Sequence, residues 1–291
     1  MRRDPISGRL VVVAPGRARR PGARSAAEFD PSEGEECPFC AGREDRTPPE
    51  SLARGREGGP ADSPGWQVRV VPNLYPALER QEVVVHAPEH ARSLAELTDE
   101  RLALVAQAWS LRAAAARADG FPYLHALVNE GREAGASRGH SHSQLVWLRE
   151  PPPEVAAESG VECAVCSHLE GELAAGTRVL GDRGGMVAVV RWAGRLPYEL
   201  LLAPIDHPDG SAFESRRLAD ALGLLAKSLR HLHAAEGGPV PLNVWLHDGP
   251  HWHLEVVPRL NVLAGLELGA GIYVNTLDPD RAAERLRTSR P

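Results

Sequence analysis

The sequence predicts an α+β fold made of two copies of one plan, each an antiparallel sheet with packed helices. Three observations lead there. Short β-branched runs surround one long helical segment in each half of the chain. A CxxC pair occurs in each half. The landmarks after each pair also recur in the same order. Cys37-Pro-Phe-Cys40 is followed 50 residues later by His90, in APEH, and after another 50 by His140, in HSHSQ. Cys163-Ala-Val-Cys166 is followed 41 residues later by His207, in APIDH, and after another 44 by His251, in HWHLE. An ordered set of this kind reads as an internal duplication. The halves are expected at 1–150 and 151–291, parted at PPPE (151–154).

The elements follow in chain order. Residues 7–13 (SGRLVVV) read as a strand running into the arginine-rich loop APGRARRPG. Residues 41–66, rich in Gly, Pro, Arg and Glu, read as a loop or a mobile surface segment. QVRVVPN (67–73) and EVVVHAP (82–88) are strands by their β-branched content. Residues 93–118 are a helix with Ser93 or Thr98 as N-cap. YLHALVNE (123–130) and SHSQLVWL (141–148) are strands around the turn GREAGASRG. In the second half, 184–192 and 198–204 are strands, 215–235 is a helix, and 241–248 and 252–260 are strands again.

Bulk composition narrows the class. Of 291 residues, 43% are hydrophobic and 25% charged, an ordinary globular balance that can build a core without cysteine staples. A net charge of −6 argues against a general nucleic-acid or membrane-surface binder. Lys227 is the only lysine, which compositional bias accounts for; a phosphate held here by charge is held mainly by arginine. The N-terminus lacks the apolar run and cleavage site of a signal peptide, and no stretch of about 20 apolar residues exists to span a membrane. A cytoplasmic location is therefore expected. In that reducing setting CxxC pairs read as metal sites before disulfides.

Five constellations carry chemistry. Cys37, Cys40, His90 and His140 supply two thiolates and two imidazoles, a tetrahedral set that suits a structural Zn2+. The alternatives are a redox pair or two buried cysteines. Cys163, Cys166, His207 and His251 form the counterpart, where a second metal is an open expectation; His247 and His253 lie close enough in sequence to replace a ligand. In HSHSQ, strand alternation puts His140, His142 and Gln144 on one face and the serines on the other. A strand pinned at His140 would hold His142 rigidly beside the metal, where a neutral imidazole can attack phosphorus. Gln144 can donate to a phosphoryl oxygen. The alternative is that His142 is a third ligand or a merely buried histidine. Next, the small residues of the turn Asn129-Glu-Gly131…Gly135-Ala-Ser137 let backbone N–H groups approach a phosphate. Arg17, Arg19 and Arg20 could grip a pyrophosphate, or simply form a solvated basic loop.

These residues carry a resemblance. From DPISGRLVVVAPGRARRPG through CPFC, RVVPNLYPAL, HAPEH and NEGREAGASRGHSHSQ to HWHLEVVPRL and AGLELGAGIYVNTLDPD, the chain resembles the galactose-1-phosphate uridylyltransferase family of the histidine-triad superfamily. Glutamine at 144, where histidine-triad hydrolases carry a third histidine, favours transfer over hydrolysis. The resemblance implies two histidine-triad-like halves and a homodimer with the active site completed across it. It implies nucleotide-sugar and sugar 1-phosphate substrates, UDP-glucose and galactose 1-phosphate first among them. His142 would be the nucleophile and Gln144 the contact to the phosphoryl group. Arg17 and Arg20 would contact phosphate, and Asn73, Asn129 and Ser137 would line the nucleotide site. Glu267 and Asn275 would reach the hexose or its phosphate. The chain departs from the family in having Ser141 between the histidines and a complete second CxxC. Its C-terminal segment resembles a divergent branch in which some members act on adenylyl sugars. An adenylyl-sugar phosphorylase or a nucleotide-sugar hydrolase is the alternative on the same fold, and a non-enzymatic zinc-binding module is the rival of another class.

Overall fold

The computed structural model describes residues 2–3, 10–11, 33–158 and 162–290. The expected N-terminal strand therefore appears only as β2 (Leu10–Val11), antiparallel to β1 (Arg2–Arg3). Arg17, Arg19 and Arg20 lie outside the described residues.

The first half then runs α1 (Glu33–Glu36), β3 (Leu52–Arg54), β4 (Val68–Pro72), β5 (Arg80–Val85), α2 (Asp99–Ala118), β6 (Tyr123–Glu130) and β7 (His142–Leu148). The second runs α3 (Pro153–Ala157), α4 (Ala164–Ala175), β8 (Val179–Arg183), β9 (Met186–Val190), β10 (Leu200–Pro204), α5 (Leu218–Glu236), β11 (Leu242–His247), β12 (His253–Pro258), α6 (Gly265–Ala270) and α7 (Pro279–Thr288). Both cap candidates at the first long helix are used, by different elements. Thr98 Oγ1 accepts the Arg101 N–H and opens α2 with Asp99 and Glu100 in its first turn. Ser93 caps a separate 3-10 turn, Leu94–Glu96, so the expected helix start at 93 is corrected to 99.

Ten strands form one antiparallel sheet in the order β3-β4-β5-β7-β6-β11-β12-β10-β9-β8. Read outward from the middle, the two halves follow the same plan, β6-β7-β5-β4-β3 against β11-β12-β10-β9-β8. A single row of paired residues crosses the centre: Val83, Gln144, Leu127, Trp245, Glu255, Leu201. Leu127 and Trp245 sit at the pseudo-twofold axis, and Gln144 and Glu255 are its first equivalent pair. The residues that alternate with this row, such as Val84, Leu145, Val128, Val244, Leu254 and Leu202, join the main core. α2 and α5 pack side by side over that face. The row itself faces the opposite side, which is where the site lies. Two smaller apolar clusters flank it, one around Trp66, Val71, Val83 and Val85, the other around Leu169, Val189 and Leu201. At the far edge the register of β8 breaks between Val179 and Gly181.

Residues 41–66 are loop for most of their length, as expected, but the loop is anchored. They carry β3, and Trp66 at their end is buried. Arg69, itself buried, fixes them through three donors: Nε to Glu50 Oε2 (2.9 Å), Nη1 to Thr47 Oγ1 (2.7 Å) and Nη2 to Asp62 Oδ1 (2.6 Å). Trp66 Nε1 donates to Glu44 Oε1 at 2.8 Å. Burying a guanidinium is costly unless it is paired and hydrogen-bonded, so the polar composition of this stretch supplies partners rather than freedom. Among the described residues, no helix is long and apolar enough to cross a membrane.

Candidate functional site

β7 begins at His142, so His140 is not a strand residue; it precedes the strand in a bend. The alternation nevertheless sorts the motif. Ser141 and Ser143 turn toward the helices and meet the buried His86, whose Nδ1 is 2.9 Å from Ser141 Oγ and whose Nε2 is 3.0 Å from Ser143 Oγ. His142 and Gln144 line a cavity of about 190 Å³ on the other face, together with Asn73 and Ser137. Arg46 and Arg138 are its cationic lining among the described residues, and the segment held by Arg69 supplies the first of them.

Hydrogen bonds assign the imidazole tautomers. A backbone carbonyl only accepts, so each ring nitrogen facing one carries the proton. His140 Nε2 donates to the Ala87 carbonyl (2.9 Å), leaving Nδ1 to point at Cys37 Sγ (3.5 Å) and Cys40 Sγ (3.7 Å). His90 Nδ1 lies 3.5 Å from Cys40 Sγ. Tetrahedral zinc with usual bond lengths separates nitrogen and sulfur ligands by roughly 3.6 Å, so these four residues fit such an ion. The carbonyl behind His140 is the outer partner that orients a ligating imidazole. Burial holds His140 down to about 3, which keeps it neutral. Burial and the adjacent Cys37 push the Cys40 thiol up to about 11, so a thiolate there calls for a compensating cation.

His142 is not a member of this set. Its Nδ1 donates to the His140 carbonyl at 2.7 Å, so Nε2 carries the lone pair. Phe39, between the cysteines, packs against both rings, 6.0 Å from His140 and 5.5 Å from His142. The metal set and the nucleophile candidate are thus joined by one carbonyl and one aromatic ring.

The second set repeats the first. Cys163 and Cys166 Sγ each lie 3.3 Å from His251 Nδ1, and Cys166 Sγ lies 3.4 Å from His207 Nδ1. His251 Nε2 donates to the Pro204 carbonyl. The two histidine pairs have nearly the same geometry, 5.1 Å and 87° against 5.2 Å and 86°. All four donors come together, so this set could hold a metal as well. His247 and His253 do not replace any of them. They stack on each other at 4.7 Å and gather with Glu158, whose Oε1 is 2.7 Å from His247 Nδ1. Trp245 Nε1 donates to the other nitrogen of His247. Glu255, the equivalent of Gln144, is paired with Arg191 and with Arg195 (2.6 Å). Burial alone would raise its carboxyl, but the two arginines outweigh that and hold it below the usual range.

The other expected residues divide. Asn73 and Ser137 line the His142 cavity. Asn129 faces a neighbouring hollow shared through Arg138, and its Oδ1 accepts from Asn243 Nδ2 at 2.8 Å. In the glycine turn, the N–H groups of Gly135 and Ala136 bond back to Arg132 and Gly131, so these two are not phosphate donors. Gly131 is required there: its φ is +81°, and a Cβ would lie 2.7 Å from Pro241. Glu267 on α6 is half-buried, and its carboxylate accepts the Ala264 N–H. Asn275 ties the C-terminal segment to the carbonyls of Gly194 and Leu196. Neither reaches the cavity within this chain. Sequence reading passed over His86, Gln81, Asn243 and Glu158. The first two were open to strand alternation, since Gln81 shares the face of Val83 and His86 the opposite one.

Residues 76–152 match the family described as galactose-1-phosphate uridyl transferase, N-terminal domain. A galactose-1-phosphate uridylyltransferase of Streptomyces lividans is 27% identical over 99% of this chain and 86% of its own length. The chain is similar to the galactose-1-phosphate uridylyltransferase family. It is a nucleotidyltransferase-type enzyme. An ADP-glucose phosphorylase of Arabidopsis thaliana is 29% identical over 99% of this chain and 92% of that protein. A crystal structure of an Arabidopsis thaliana ADP-glucose phosphorylase with bound ADP-glucose is similar at a TM-score of 0.74, with 28% identity over 99% of this chain and 98% of that one.

Proposed function

We propose that the protein transfers the nucleotidyl group of a nucleotide sugar through a covalent bond to His142. The observation that carries this reading is the tautomer. With Nδ1 bonded to the His140 carbonyl, the lone pair is on Nε2, in the cavity that Gln144 also lines. In the first half-reaction Nε2 attacks the α-phosphorus. The bond to the bridging oxygen breaks, and sugar 1-phosphate leaves with its electron pair. The acceptor then attacks the same phosphorus and releases His142. Sugar phosphates are fair leaving groups, so the residues chiefly position the phosphoryl group and stabilise its charge. Gln144 donates to the phosphoryl oxygens, with Arg46, Arg138 and Ser137 at the rim. Zn2+ held by Cys37, Cys40, His90 and His140 would be structural, since protein atoms fill all four positions. The second set offers a place for another ion.

Two substrate pairs share this chemistry. UDP-glucose with galactose 1-phosphate is supported by the family and by Gln144. ADP-glucose with inorganic phosphate is supported by the Arabidopsis relative. A homodimer is supported by residues 260–274, where Val262, Leu268, Ile272 and Tyr273 are exposed on a segment that also bears Glu267. In such a dimer Glu267 would serve the partner's site. The test is intact mass spectrometry after mixing with UDP-glucose or ADP-glucose. The expected result is a nucleotidyl adduct with one of them, absent from His142→Ala. Turnover by His142→Ala would refute the covalent route, and the mass of the adduct names the base.

A further inference from the structure

We infer that Gln81 is a positioning residue that sets which end of the Gln144 amide faces the phosphoryl group. The inference rests on the proposed role of Gln144 and adds the cause of its orientation. A glutamine amide is nearly symmetrical in shape, so packing alone does not decide whether oxygen or nitrogen points into a cavity. Here a backbone group decides it. The N–H of Ala77 can only donate, and its partner at 3.0 Å is the Gln81 side chain, which must present Oε1. The Gln81 nitrogen is thereby turned toward Gln144, 2.6 Å away. Gln144 must in turn offer Oε1 to it, which leaves the Gln144 N–H donors for the cavity. Two amides thus relay the polarity of one backbone N–H to the site of charge development.

The relay is well anchored. Gln81 is buried, and its own carbonyl accepts the Asn73 N–H at 2.8 Å. Asn73 Oδ1 holds the Tyr75 N–H at 2.9 Å. The turn that walls the cavity with Asn73 and Tyr75 is therefore tied to the main chain of the same residue whose side chain orients Gln144. A reversed Gln144 would place a carbonyl oxygen against a phosphoryl oxygen, which is repulsive where a donor is needed.

The test compares Gln81→Glu with Gln81→Leu, read as the single-turnover rate of nucleotidyl-His142 formation relative to wild type at each pH, so that titration of His142 cancels. The glutamate keeps the shape and the bond from Ala77, but its carboxylate demands a donor and turns the Gln144 nitrogen away from the cavity. We expect its rate at pH 8 to fall about 100-fold, the usual loss of one such donor, with binding of the nucleotide sugar weakened far less. The loss should recede in acid, because the introduced carboxyl, once protonated, again donates to Gln144. Leucine lets Gln144 take either orientation, and a loss of less than about tenfold is expected, since half or more of the molecules stay correct. A role confined to packing predicts the reverse order, with glutamate benign, leucine worse and no recovery in acid; that result overturns the inference. A second readout needs no turnover. In side-chain amide NMR the Gln81 NH2 protons should exchange with solvent more slowly than those of Gln144 and should shift in Gln144→Ala. If wild type forms no adduct, the proposed function fails while this readout still judges the relay; faster exchange at Gln81 overturns it.

Discussion

Replacing His86 with leucine should destabilise the protein by removing hydrogen bonds rather than volume. His86 is fully buried, and its ring lies between Ser141 Oγ at 2.9 Å and Ser143 Oγ at 3.0 Å. Burial, with His142 and His140 adding to it, holds the ring well below its usual range, so it is neutral and offers one donor and one acceptor. Leucine is similar in size, which keeps any cavity term small. The two serines fare differently. Ser143 still accepts from Trp109 Nε1 at 2.9 Å, whereas Ser141, also buried, loses the contact its hydroxyl makes with His86. Stranding one hydroxyl costs about 1–3 kcal/mol and losing one bond at the other about 1, so His86→Leu should cost about 2–4 kcal/mol. Denaturant unfolding of zinc-loaded protein measures this. The diagnostic comparison is His86→Leu with Ser141→Ala, which removes the stranded group and should recover about 1–2 kcal/mol. A double variant no more stable than His86→Leu would refute the reasoning and show that the ring acts by filling space.

Two further outcomes follow from the site. Elemental analysis of purified protein should find two divalent ions per chain, with Cys37→Ser and Cys163→Ser each lacking one; a wild-type stoichiometry of one would rule out the second set. Glu130 provides a pH test. Burial pushes its carboxyl up to about 7, against an ordinary 4.5, although it accepts from Leu94 N–H and Ser93 Oγ. The folded state thus holds this proton more tightly than the unfolded chain. Its contribution is full below about pH 4.5 and disappears as pH rises to about 7. Stability of Glu130→Gln should therefore decline less across that window than that of wild type, and parallel profiles would contradict the assignment.

The sequence was most legible where residue type and spacing are themselves the chemistry. The convergence of both Cys/His sets, and the strands beside them, could be read because thiols and imidazoles recurring at matched intervals point to shared ligation. Composition gave 41–66 as loop but did not show that its polar residues serve a buried arginine outside the segment. It was silent on α4, which Cys163 caps and which shows little periodicity, and it passed over α7, although Asp278 caps that helix, Pro279 opens it and Ala282, Ala283 and Leu286 share its buried face. Spacing also left His247 and His253 as substitute ligands for the second ion. Their strand register instead places them across from each other, closing on Glu158. Strand alternation gave the face of Gln81 but not its role, and Asn243 was invisible, because an amide announces a role only once its partner is known.

An open ten-stranded sheet has two outer borders, and both are poor templates for another strand. One border, β3, is only three residues long. The other, β8, carries the irregularity at Gly181, and Arg287 from α7 donates to the carbonyls of Thr177 and Val179 beside it. Short, broken and charge-guarded margins discourage the lengthwise addition of copies that leads to fibres. Among the described residues, growth of the sheet by added strands is thereby disfavoured at both borders.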